Sequence, residues 1–182
     1  GSEGGGGAGG MREITSHPVS SSTDYAVTIG SGGADNTAGG ASQFGGPANP
    51  APERLTSSGG ALSGGRHQNG NPGGSGSGAG DGATLGPSRS GGSGNAGGYS
   101  PPEGNDGGDG TPASSYEPAG GGGGAGAVGG DGGPFGAGAA STITGSPITH
   151  SMGGSGEGGA PYRDGSTPGG YGHGANSNSD ST

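Results

Sequence analysis

The chain has 182 residues, of which 58 are glycine, only 21% are hydrophobic and 4% aromatic, and it carries a net charge of −9. So few apolar side chains cannot supply a conventional oily core, and composition alone places the chain with low-complexity sequence. The charge repels phosphate backbones, and the five basic residues (Arg12, Arg54, Arg66, Arg89, Arg163) stand singly, so no nucleic-acid partner is expected.

In chain order, Gly1-Ser2 stands where a methionine would open a natural chain, which reads as a cloning scar or a piece of something longer. Gly4–Gly10 (GGGGAGG) leads into Met11–Val19, a polar loop and Asp24–Ile29, with a Tyr25/Val27/Ile29 alternation. This pattern predicts a β-hairpin of Met11–Val19 with Asp24–Ile29. Pro18 in it suits an edge or a bulge. Two shorter extended pieces are expected at Ser42–Phe44 and Arg54–Ser57, each bounded by Gly or Pro. From Gly59 to Gly138 neither a period of 2 nor one of 3.6 survives. A second hairpin is expected, Thr142–Thr144 with Ile148–His150, turning through Gly145-Ser146-Pro147. Gly153–Thr182 returns to glycine and ends in a polar tail expected to fray. The chain divides into an N-terminal hairpin region (1–58), a polyglycine and loop body (59–140), a second hairpin (141–152) and a glycine-rich segment with a tail (153–182), one domain overall. No α-helix is expected, because no amphipathic stripe exists and glycine costs about 1 kcal/mol per residue in a helix.

Ordering such a chain costs about 1–2 kcal/mol of backbone entropy per residue. Side-chain burial cannot offset that, so backbone hydrogen bonds and close backbone packing must. A chain with few side chains can form left-handed threefold helices, about 3.1 Å per residue, with outward-pointing N–H and C=O groups. Neighbouring helices can then bond laterally, and only glycine lets the backbones come close enough. Gly73–Gly80, Gly91–Gly98 and Gly120–Gly124 are such material, with turns at Asn71-Pro72, Asp106-Gly107 and Asp131-Gly132. The competing reading of these runs is a flexible Gly/Ser linker. Collagen is excluded by register, since glycine clusters instead of recurring at every third position. The expected fold is mainly β and irregular: short β-hairpins plus a polyglycine-II-type helix bundle.

These landmarks resemble the glycine-rich domain of bacteriophage tail-fibre and tail-tip proteins. Such domains run from GGGGAGG into a hairpin ending in Tyr-x-Val-x-Val/Ile-Gly, here Gly4–Gly10 and Tyr25–Gly30. A later GGGGGAGA run and an S-x-I-T-G-S hairpin follow, here Gly120–Ala127 and Ser141–Ser146. The resemblance covers roughly Gly4–Gly60 and Gly120–Gly159, in the same order; the middle matches in composition only. Such domains open with an apolar strand before the first glycine run, and this chain starts at the run itself, as if cut. The resemblance implies an extracellular part of the virion tail, structural or host-attaching, meeting other tail proteins and a bacterial surface receptor of protein or polysaccharide. Fibre proteins commonly assemble, so a homo-oligomer, and within that class a trimer, is expected.

Signs of catalysis are sparse. Without lysine a Walker phosphate loop cannot form, and no G-x-S-x-G elbow occurs. With no cysteine there is neither a disulfide framework nor a thiolate metal site. His17, His67, His150 and His173 form no H-x-x-x-H pair, so no metal or cofactor is expected. Asp81, Asp106, Asp109 and Asp131 lie among glycines, faintly like calcium-binding nonapeptides, but the repeat period and its apolar position are missing. Turn aspartates account for them better. The chain reads as a non-enzyme. No apolar run reaches the ~18–20 residues of a membrane span, so no membrane insertion is expected.

Tyr25 belongs to the hairpin, whereas Tyr99, Tyr116, Tyr162 and Tyr171 sit beside Pro or Gly with no hydrophobic face to join. Aromatics on rigid loops make good recognition anchors, so these four are the candidate receptor contacts. The alternative role is packing over neighbouring glycines. Two other functions compete: a self-associating extracellular filament or matrix protein, and an ice-binding polyglycine bundle.

Overall fold

The computed structural model describes residues 3–81, 88–111 and 118–156. Among them there is no α-helix, and regular structure consists of short antiparallel strands and one 3-10 turn. The strands are β1 (Val27–Thr28), β2 (Ser42–Phe44), β3 (Leu55–Ser57), β4 (Ala139–Ser141) and β5 (Ile148–His150). Proline fixes φ at the start of the 3-10 turn Ala51–Glu53, and an extended Arg54 follows it into β3.

β1, β2 and β3 form one antiparallel sheet in that order, with Val27 opposite Phe44 and Phe44 opposite Leu55. β2 and β3 fall on the two extended pieces read from the sequence. The first hairpin is corrected: β1 pairs with β2, and Met11–Val19 forms no strand. The reason is competition for its donors. The Met11 N–H is taken by the Glu103 carbonyl at 2.7 Å, and the Arg12 guanidinium reaches the Thr56 carbonyl at 3.0 Å. Ser16 and Ser22 lie in the left-handed region (φ 57° and 56°), which breaks an extended run. The second hairpin is corrected in register: β5 pairs with Ala139–Ser141, not with Thr142–Thr144. Thr142–Gly145 is instead the turn, closed by the Gly145 N–H donating to the Thr142 carbonyl at 2.8 Å, with Gly145 at φ 92°. Only glycine adopts that dihedral freely.

The fold is centred away from these sheets. Among the described residues the buried apolar ones are all alanines (Ala8, Ala61, Ala79, Ala119), alongside the buried Ser75, Ser77 and Glu103. What fills the interior is backbone. In residues 120–124, Gly120 and Gly123 donate to the carbonyls of Ala79 and Gly76, Gly121 and Gly124 to those of Gly130 and Ala127, and Gly122 to that of Gly154, all at 2.8–2.9 Å. Each neighbouring segment is revisited after three residues. The first glycine run repeats the rule: Gly4, Gly7 and Gly10 donate to Gly64, Ala61 and Ser58, while Gly5 and Ala8 donate to Gly120 and Gly123.

A buried N–H left unpaired would cost about 1–3 kcal/mol, more than the about 0.5–1.5 kcal/mol gained per bond made. That asymmetry ties every segment of the interior to its neighbours. Close approach is the second condition. A Cβ on Gly122 would land on the Gly6 carbonyl, and one on Gly78 on the Gly120 carbonyl. The described glycines in the left-handed region (Gly45, Gly98, Gly132, Gly133, Gly145) lie outside residues 4–10, 73–80 and 120–124. Glycine is therefore required in those runs for contact distance, not for backbone freedom.

Candidate functional site

A short loop joins residues 91–96 to 103–110 and carries Tyr99. Asn95 fixes it from within: its Oδ1 accepts from the Tyr99 N–H at 3.0 Å, and its Nδ2 donates to the Tyr99 carbonyl at 3.1 Å. The Tyr99 ring lies against Gly97, where a Cβ would collide with it. The Arg12 guanidinium sits 4.4 Å from the ring centroid, a cation–π contact. Arg12 also donates to the carbonyls of Thr56 at 3.0 Å and Ser100 at 3.4 Å, which joins the loop to β3. Tyr99 is half-buried. Tyr116, Tyr162 and Tyr171 lie outside the described residues.

Beneath this loop is Glu103, with 0% exposure. Its Oε2 accepts from the Ser58 N–H at 2.7 Å and the Ser57 hydroxyl at 3.4 Å, and its Oε1 accepts from the Gly97 N–H at 3.3 Å. One carboxylate thus collects donors from β3, the segment after it and the Tyr99 loop. Nothing in the sequence marks it, because an isolated glutamate in polar sequence is ordinarily solvated. The nearest hint is the glycine-poor Tyr99–Pro102 stretch directly before it.

A second constellation lies across the three-stranded sheet. Tyr25 stacks on Phe44 (centroids 5.1 Å, planes 6° apart), and His17 meets Phe44 edge-on at 6.0 Å. Glu53, 8% exposed, accepts from the Tyr25 hydroxyl and from the Ser20 hydroxyl at 2.7 Å. The His17 Nε2–H donates to the Glu53 carbonyl at 3.2 Å. The hydrogen bond from Tyr25, followed by that from Ser20, holds the Glu53 carboxyl below its ordinary range.

The aspartates bind backbone N–H groups, and two of them, Asp109 and Asp131, are in contact. Asp106 accepts from the Gly94 N–H, Asp109 from the Gly91 N–H, and Asp131 from the Asp109 N–H, at 2.7–2.8 Å. Asp81, almost fully buried, accepts from the His67 N–H at 3.3 Å and faces Arg66 Nε at 3.9 Å. Asp131 stands in a turn, as expected of it, whereas Asp106 and Asp109 lie within an extended segment and bond a neighbouring one. Among the described residues no three His, Cys, Asp or Glu side chains gather where they could hold a metal ion. Nor is any described helix long and apolar enough to cross a membrane.

The described surface also carries concavities, two of them beside the residues above. A polar groove of about 790 Å³ runs between residues 6–10, 30–40 and 57–63, with Ser31, Asp35, Asn36 and Thr37 on one wall. A shallow apolar hollow of about 230 Å³ lies on the three-stranded sheet, among Val27, Ile29, Phe44 and Leu55.

No family model, no curated protein and no solved structure matches the chain.

Proposed function

We propose that this chain is a glycine-rich structural or receptor-binding component of a phage tail fibre or tail tip, with a bundle of polyglycine-II helices as its body. Carrying the reading is the pairing of the two landmark runs: Gly5 and Ala8 of the first donate to Gly120 and Gly123 of the second. The motifs that resemble the tail domain are thus neighbours in space. Three successive residues bonding to three neighbours, with return after three, is the behaviour expected of a helix with three residues per turn. On this reading the chain is extracellular, part of the virion, non-catalytic, and free of cofactors and membrane insertion. It assembles with further copies and other tail proteins, and its tyrosines Tyr99, Tyr116, Tyr162 and Tyr171 meet a protein or polysaccharide of the host surface.

The test is adsorption of the labelled chain to a panel of bacterial cells. Saturable binding to a few strains, lost when Tyr99, Tyr116, Tyr162 and Tyr171 are replaced by alanine, is the expected result. Adsorption to no strain would remove host attachment and leave the structural role. A second reading, a self-associating extracellular filament, draws support from the uncovered Val27 and Ile29 on the sheet.

A further inference from the structure

We infer that the free edge of β1, with the apolar strip beside it, pairs antiparallel with the same edge of a second copy of this chain. The pairing rests on the reading above that copies assemble, and it names the surface on which they meet.

The sheet order leaves β1 at an edge. The Ala26 carbonyl accepts from the Gly45 N–H at 2.8 Å, and Thr28 stands opposite Gln43. In an antiparallel ladder the inward-bonding residues alternate, so the N–H and C=O groups of Val27 and Ile29 point outward, to the open side. Their side chains share one face of the sheet, the period being two, and are 65% and 78% exposed. An edge with unpaired backbone and bare β-branched side chains is a template for another strand.

The geometry selects a second copy as that strand. A twofold axis through Thr28 sets Val27 of each copy opposite Ile29 of the other. Both residues direct their backbone groups outward, so this register pairs all four N–H and all four C=O groups of the two edges. The exposed Val and Ile side chains then cover one another, and the two apolar hollows become continuous. Charge also permits it. Residues 25–34 carry no charged side chain, and the hollow's one charged lining residue is Arg12, in a chain of net charge −9 whose copies otherwise repel. Neither the edge nor the strip includes Tyr99, so host attachment is a separate matter.

The experiment is sedimentation equilibrium of the full chain over a range of concentrations. The mass should rise from 16.2 kDa toward twice that value. Ile29→Lys and Val27→Lys should each return it to 16.2 kDa. Both side chains are exposed, so the fold should persist, checked by circular dichroism. Ile143→Lys, at an 84% exposed position on the other hairpin, adds the same charge elsewhere and should leave the larger mass intact. An assembly that survives both β1 lysines would overturn the pairing while leaving assembly standing. A chain that stays at 16.2 kDa throughout would overturn both, whatever the cell adsorption shows.

Discussion

The Ser58 N–H donates to Oε2 of Glu103 at 2.7 Å, joining residues 45 apart in sequence through a carboxylate with no solvent exposure. Because Oε1 is also engaged, by the Gly97 N–H, both oxygens must be acceptors. Glu103→Gln keeps the shape but turns an NH2 group toward a donor. It should lower stability by about 1–3 kcal/mol, the cost of a buried polar mismatch. Glu103→Ala should cost more, since it strands the Ser58 and Gly97 N–H groups. Urea unfolding midpoints measure both, and an unchanged midpoint for Glu103→Gln would remove the carboxylate from its structural role.

Glycine contact distance is tested by a matched pair. Gly122→Ala places a methyl on the Gly6 carbonyl, backbone against backbone, with no flexible side chain to give way. It should cost at least the ~1–3 kcal/mol typical of overpacking. Gly32→Ala meets nothing within 4 Å and should be neutral or stabilising by about 0.4–1 kcal/mol. Equal melting temperatures for the two variants would contradict the packing account.

The Glu53 cluster predicts an acid dependence with a definite sign. Its folded carboxyl is held below the ordinary range, chiefly by the Tyr25 hydroxyl. It therefore adds stability that is full above the unfolded carboxylate value, about 4.3, and is lost as pH falls through the lower folded value. Tyr25→Phe removes the main cause while keeping the stack on Phe44. The variant should be less stable than the parent at neutral pH, and the two should converge in strong acid. No gap at any pH would mean that Tyr25 acts by packing alone. A gap that does not change with pH would assign the hydroxyl's effect to its bond from the Ser20 N–H and not to the Glu53 charge.

Asp131 supplies an acceptor at a segment end, to the Asp109 N–H at 2.8 Å. Asn keeps an acceptor oxygen and Ala does not, while both remove one negative charge. Asp131→Ala should lose about 0.5–1.5 kcal/mol, the worth of one such bond. Asp131→Asn should lose clearly less. Thermal melts of the two variants decide, and identical losses would assign the effect to charge.

The sequence by itself determined the material and the local punctuation. Scarce side chains ruled out an oily core, and glycine clustering ruled out collagen. The short extended pieces at Ser42–Phe44 and just before Ser58 were legible because Gly and Pro bound them within a few residues. Only the tertiary structure decided who pairs with whom. A strand's partner is non-local: β1 lies beside β2 because Tyr25 stacks on Phe44 and Met11 is claimed by Glu103, neither of which any local window contains. The same holds for the glycine runs. Their composition says that backbones can approach closely, but every run can approach every other. The choice of Gly5 with Gly120, and the burial of Glu103 among three segments, arise only when all the segments compete at once for the same N–H groups.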